Sequence, residues 1–93
     1  MKKIENVYVK EFSNIMNIQV NEKIFYNLCK ILGQASTTYG IEIISKKENN
    51  IKRCSFSNIS NSRTFAFNLL TFLYENSVKP DFATEIITDL LNS

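Results

Sequence analysis

The chain has no histidine and no tryptophan, and it carries only two cysteines, two glycines and one proline. Without imidazole there is no histidine base, no Ser-His or Cys-His nucleophile and no histidine metal ligand. Cys29 and Cys54 lack the CxxC spacing of a zinc site, so no metal site is read. Glycine only at positions 33 and 40 leaves no glycine-rich loop to cradle a phosphate. The longest apolar stretch, Phe65 to Leu73, is interrupted by Asn68 and Thr71 and is too short to cross a bilayer. Met1-Lys2-Lys3 is followed by Ile4-Glu5-Asn6 rather than by an apolar stretch, so no secretory signal is read. These absences lead us to expect a non-enzymatic, cytoplasmic protein with reduced thiols, no cofactor, no metal and no membrane contact.

What is present suffices for one globular domain over residues 1–93, since 44% of the chain is hydrophobic and 22% is charged. The net charge of +2 is too small to argue for nucleic acid, but it is unevenly spread. Residues 1–53 hold nine Lys/Arg against five Asp/Glu, and residues 54–93 hold two against four. The molecule should therefore be electrically polarised.

The clearest local signal lies at the C-terminus. Pro80 at a first helical position, with Asp81 after it, opens a helix over residues 80–92. Phe82, Ala83, Ile86, Ile87, Leu90 and Leu91 are expected on one face, with Asp81, Glu85 and Asp89 on the other. A second helix is expected over residues 61–77, with Ser60 as its N-cap and Arg63 where a capping-box Glu would be better. Residues 38–58 read as a β-hairpin turning at Asn49-Asn50, with Tyr39, Ile41, Ile43, Cys54 and Phe56 on the core face. In that register Lys47 faces Lys52, Lys46 faces Arg53, Ser45 faces Cys54 and Ile43 faces Phe56. Residues 6–12 read as a short strand. Residues 23–32 fit a helix face by periodicity and also fit a strand buried on both sides. Residues 14–21 carry no clear pattern.

Three segments carry a resemblance: Thr38-Tyr39-Gly40-Ile41-Glu42-Ile43, Asn58-Ile59-Ser60, and Glu75-Asn76-Ser77-Val78-Lys79-Pro80 ahead of Ile87-Thr88-Asp89-Leu90-Leu91. Over roughly residues 22–92 the chain is similar to a family of small clostridial (Firmicutes) proteins known only as a domain of unknown function. The resemblance implies an α+β fold, a three- to four-stranded antiparallel meander packed against a C-terminal helical hairpin, with residues 23–32 as a strand. It brings no catalytic residues. Lys79 departs from it, standing where the family favours a capping Ser or Thr, and the first helix lacks the family's acidic opening.

Four weaker patterns have ordinary and functional readings. Cys29 and Cys54 are either a redox pair meeting across the sheet or two small buried hydrophobes. Glu42 is either an acid or base in a pocket or a side chain on the solvent face beside Lys46. Tyr26, Tyr39 and Phe56 are either a base-stacking platform or core aromatics. Asp81, Glu85 and Asp89 either dock a basic partner or form a solvated face.

Two surfaces are the candidate sites. Lys46, Lys47, Lys52 and Arg53 crowd one hairpin tip, where like charges in register would repel and a bound anion or acidic protein patch would relieve them. On the helix over 61–77, Phe65, Leu69, Phe72 and Leu73 should lie on the sheet. Phe67, Leu70 and Tyr74 then form a further apolar arc, covered by the second helix or left for a partner. The function expected is a small regulatory or adaptor protein that binds another protein or a second copy of itself. The alternative is a small nucleic-acid-associated factor using the basic tip.

Overall fold

The computed structural model describes residues 1–12 and 21–92. Four strands, β1 (Lys2–Phe12), β2 (Glu22–Leu32), β3 (Thr37–Lys47) and β4 (Asn50–Ser60), precede two helices, α1 (Arg63–Glu75) and α2 (Pro80–Leu91). The strands form one antiparallel sheet in the order β1-β2-β3-β4, and each adjacent pair is antiparallel. The α+β meander with its helical hairpin is therefore the fold, and residues 23–32 are a strand. Of the segment 14–21, in which no pattern is read, residues 14–20 lie outside the described residues.

Both helices pack on the same face of the sheet. Ile24, Tyr26 and Leu28 of β2 and Ile41 and Ile43 of β3 join Ala66, Leu69, Leu70 and Leu73 of α1, Val78, and Ala83 and Ile87 of α2 in a single core. Cys54, Phe56 and Tyr39 pack at its edge, on the side assigned to them from the alternation. Burial at this scale is the main stabilising term of so small a domain.

Two irregularities set which side chains face the helices. β1 shifts register between Asn6 and Tyr8, so Glu5 pairs with Leu28 but Tyr8 pairs with Tyr26. The extra residue, Val7, reverses the alternation and turns Tyr8, Lys10 and Phe12 toward the helices. β4 shifts between its pairings with Tyr39 and Ile41, with Asn58 at φ 58°. There the bulged strand passes so close to Gly40 that a Cβ would lie 2.0 Å from Phe56 O and 2.8 Å from Ser57 Cα. Only glycine fits.

The junction between the helices is built from the segment that carried the resemblance. Ser77 takes a left-handed φ of 53°. Its N–H donates to Tyr74 O (3.1 Å), and the Val78 N–H donates to Leu73 O (2.9 Å). This is the Schellman pattern, closed by the buried Val78 and Leu73. Lys10 Nζ reaches over from β1 to Tyr74 O and to Ser77 Oγ (2.8 Å), putting a cation at a helix C-terminus that has no basic residue of its own.

Several local expectations are corrected. The N-cap of α1 is Ser62, whose Oγ accepts from Phe65 N at 3.2 Å, and Ser60 instead accepts from Ser62 N. The hairpin turns at Glu48-Asn49, Glu48 taking the positive φ of 53°, so Lys47 pairs with Asn50, Lys46 with Ile51, Ser45 with Lys52 and Ile43 with Cys54. The slip from the expected register is two residues. An even slip keeps every side chain on its face while changing its partner. On α1 the small Ala66, together with Leu69, Leu70 and Leu73, forms the buried stripe, and Phe65 and Phe72 are exposed. On α2 only Pro80, Ala83 and Ile87 are buried, and Phe82, Leu90 and Leu91 are exposed.

Candidate functional site

Among the described residues, no helix packs against the second face of the sheet. Because every strand alternates, each residue opposite the core stripe points there. The register orders these side chains into rows: Glu11, Lys23, Lys46 and Ile51; then Val9, Phe25, Ile44 and Arg53; then Asn6, Asn27, Glu42 and Ser55; then Ile4, Cys29 and Gly40. Ile4, Val9 and Ile51 are 53%, 39% and 63% exposed. Phe25 and Ile44 are half-buried.

A polar line crosses this apolar field. Asn6 Nδ2 donates to Asn27 Oδ1 at 2.8 Å, Asn27 Nδ2 donates to Glu42 Oε1 at 3.3 Å, and Arg53 Nε lies 3.6 Å from Glu42 Oε2. Each strand contributes one member. Asn27 and Glu42 are only 7% and 6% exposed. Among the described residues, no buried side-chain nitrogen or oxygen lacks a partner. A partly satisfied network would make covering this face costly, whereas a satisfied one does not.

Three of the charges on this face, Glu11, Lys23 and Lys46, share its end row. Lys23 forms an ion pair with Glu11 at 3.1 Å. Lys23 and Lys46 both approach the Phe25 ring, at 5.6 and 5.2 Å from its centroid. The aromatic is therefore framed by two cations from neighbouring strands.

The hairpin tip is not the crowded basic cluster expected. Lys46 and Arg53 belong to the open face, and Lys47 and Lys52 to the helix face. Lys52 Nζ pairs with Asp81 at 3.0 Å, and Arg53 with Glu42. Across β3–β4 no like charges stand opposite each other, because the two-residue register change places Ser45 and Ile51 in those positions; Lys46 instead faces Lys23 of β2, which Glu11 offsets. The arc of Phe67, Leu70 and Tyr74 is also accounted for. Leu70 is in the core, Tyr74 stacks on Tyr8 with centroids 4.2 Å apart, and Phe67 lies 6.2 Å from the same ring. Strand β1, rather than the second helix, covers this side.

Beside the tip lies a buried carboxylate that sequence reasoning missed. Glu22 accepts from Ser45 Oγ at 2.6 Å and pairs with Lys79 Nζ at 3.0 Å. Burial pushes its carboxyl up, but the hydrogen bonds from Ser45 and Lys79 and the charges of Lys79 and Lys47 outweigh it and hold it below the ordinary 4.5. Lys79 makes no side-chain cap to α2; its ammonium is engaged in this ion pair instead. Tyr26 donates to Val78 O at 2.9 Å, and burial, with the charge of Glu22 and the neighbouring Tyr74, raises its hydroxyl to about 12.

The remaining alternatives resolve from geometry. Cys29 lies on the open face, paired with Gly40, and Cys54 lies on the helix face, paired with Ile43. Strand β3 stands between them, and both thiols are free. Burial raises the Cys29 thiol, with Lys2 lowering it and Glu42 raising it further, so little of it is thiolate near neutral pH. Glu42 is neither a pocket acid nor a solvated side chain beside Lys46; it is buried and paired with Arg53. Tyr26, Tyr39 and Phe56 face the helices, so they offer no stacking platform. Asp81 is paired with Lys52, while Glu85 and Asp89 are solvated. Asn6 and Asn27 were also missed. A lone amide inside the apolar stretch from Ile24 to Leu32 was the available signal.

Among the described residues no group of three His, Cys, Asp or Glu could hold a metal ion, and no helix is long and apolar enough to cross a membrane. The fold is a four-stranded meander under a helical hairpin, with one sheet face open. The chain belongs to DUF6514, a family of unknown function, whose match spans residues 4–93. No curated protein and no solved structure matches it.

Proposed function

We propose that this protein is a non-catalytic binding module, a small regulatory or adaptor protein of the cytoplasm, and that the open sheet face is its docking surface. The observation that supports this reading is the juxtaposition of exposed Ile4, Val9 and Ile51 with a polar line whose buried groups are already paired. The polar groups buried in such a face keep their partners when water is excluded from it. Four strands about 4.8 Å apart and about 36 Å long give it roughly 700 Å², close to the ~800 Å² that each partner contributes to a standard interface.

The charges choose the partner. Lys2, Lys23, Lys46 and Arg53 lie on this face against Glu11 and Glu42, so an apolar protein surface edged with carboxylates complements it better than an identical copy does. The test is the variant Ile4→Thr/Val9→Thr/Ile51→Thr, which keeps β-branched side chains on the strands. The proposal predicts that the wild type retains a protein partner in moderate salt and that the variant, folded and with an unchanged Tm, does not. A dimer that the variant dissolves would make the occupant a second copy. Retention only on a polyanion, lost steeply with salt, would favour nucleic acid instead. A partner held equally by wild type and variant would overturn the assignment of the face.

A further inference from the structure

The strands are longer than the helices that cover them. Eleven residues of strand extend about 36 Å, while the thirteen of α1 rise only about 20 Å. The helix-facing side of the sheet therefore runs on beyond the helices. Past the N-terminus of α1 this overhang forms a cavity of about 350 Å³, whose lining includes Lys3, Ile4, Glu5, Leu28, Lys30, Tyr39 and Arg63. At the other end, beside the start of α2, a smaller cavity of about 180 Å³ is lined by Lys79 and Lys52, paired with Glu22 and Asp81, and by Lys47 beside them.

The larger cavity is not matched in that way. Lys3 and Lys30 stand directly opposite each other in the β1–β2 register, and among the described residues neither ammonium makes an ion pair or hydrogen bond. Like charges so placed destabilise a sheet. The one nearby carboxylate, Glu5, is shared with Arg63 at 3.2 Å. Helix α1 begins at Arg63 with no acidic residue in its first turn, so beyond the Ser62 cap no carboxylate of its own offsets the positive end of its dipole there. Below these cations the lining is the buried Leu28 and the half-buried Tyr39.

We propose that this cavity binds a small organic anion, its oxyanion head held among Lys3, Lys30 and Arg63 and its apolar body resting on Leu28 and Tyr39. The head satisfies cations that otherwise repel, through charge-assisted hydrogen bonds. The body distinguishes the site from a bare basic patch. The volume lies at the lower end of small-ligand pockets, which suits a ligand of about one ring.

The test is titration of the ¹⁵N-labelled full chain with phenyl phosphate, phenylacetate, inorganic phosphate and benzyl alcohol, following backbone amide shifts. Phenyl phosphate or phenylacetate should give saturable shifts at Lys3, Lys30, Tyr39 and Arg63, and the tighter of the two identifies the head as phosphate or carboxylate. Inorganic phosphate, lacking the body, and benzyl alcohol, lacking the charge, should each bind about tenfold or more weakly. The variant Lys3→Gln/Lys30→Gln should lose about tenfold or more in affinity while its Tm holds or rises, because a repulsion is removed. Absence of saturation into the millimolar range, equal binding of inorganic phosphate, or unchanged affinity in the variant would each overturn the proposal. A clear fall in the variant's Tm would do so too, by showing that the lysines are paired within the protein.

Discussion

Replacing Leu70 by Ala and, separately, Phe72 by Ala separates two opposed placements of α1. The helical period, read from the sequence, puts Phe72 on the sheet and Leu70 on a flank. The structure does the reverse: Leu70 is 0% exposed and Phe72 44% exposed. Truncating a fully buried leucine removes its transfer free energy and leaves a cavity, a loss of about 2–5 kcal/mol. Leu70 touches a close-packed core, so the upper half of that range is expected. Phe72 surrenders only the half of its surface that is covered, and its loss should be about 1 kcal/mol. A domain of this size holds ~5–15 kcal/mol in total and loses roughly 4–8 °C of Tm per kcal/mol. The first variant should therefore melt on the order of 15–30 °C below the wild type, or fail to fold at ambient temperature, and the second within about 8 °C of it. Urea denaturation followed by circular dichroism measures both. Equal costs, or a larger cost for Phe72, would refute this orientation of α1 and with it the covered arc of Phe67 and Tyr74.

Two further outcomes follow from single contacts. Gly40→Ala should cost about 3 kcal/mol or more, because the new Cβ meets backbone atoms of the bulged β4 rather than a movable side chain; a folded variant with wild-type urea midpoint would show that β4 does not cross there. Glu22 is held below 4.5 when folded, so its stabilisation is present above that value and is lost as pH falls through the lower folded one. Tm measured against pH should fall more steeply below about 4.5 in the wild type than in Glu22→Gln, and parallel profiles would contradict the buried pair with Lys79.

The fold was legible where a single period dominates. The alternation of Tyr39, Ile41 and Ile43 identifies β3, and Pro80-Asp81 marks the start of α2. Strand β2 was not legible by periodicity, because Ile24, Tyr26 and Leu28 face the helices while Phe25, Cys29 and Ile31 face the other way. Apolar residues on both sides erase the period of two. The hairpin register was missed because Glu48, not an asparagine, takes the left-handed position, and turn chemistry is weak against the pairing of eleven-residue strands. Its faces were nevertheless right, since the slip was even. On α1 four aromatics surround the helix, and the stripe chosen for burial contains Ala66, whose small side chain lets the helix approach the sheet. The open face was invisible in the sequence because its polar line joins residues from four separate strands, and the β1 bulge changes which of them share a face.

The central claim is that the open face of the sheet receives an apolar, acid-rimmed protein surface. Titration calorimetry of the captured partner against wild type and Ile4→Thr/Val9→Thr/Ile51→Thr tests it most directly. The predicted result is a negative heat-capacity change for the wild type, as apolar surface is buried, and an affinity at least about tenfold weaker for a variant whose Tm is unchanged. An unchanged affinity in the folded variant would contradict the claim.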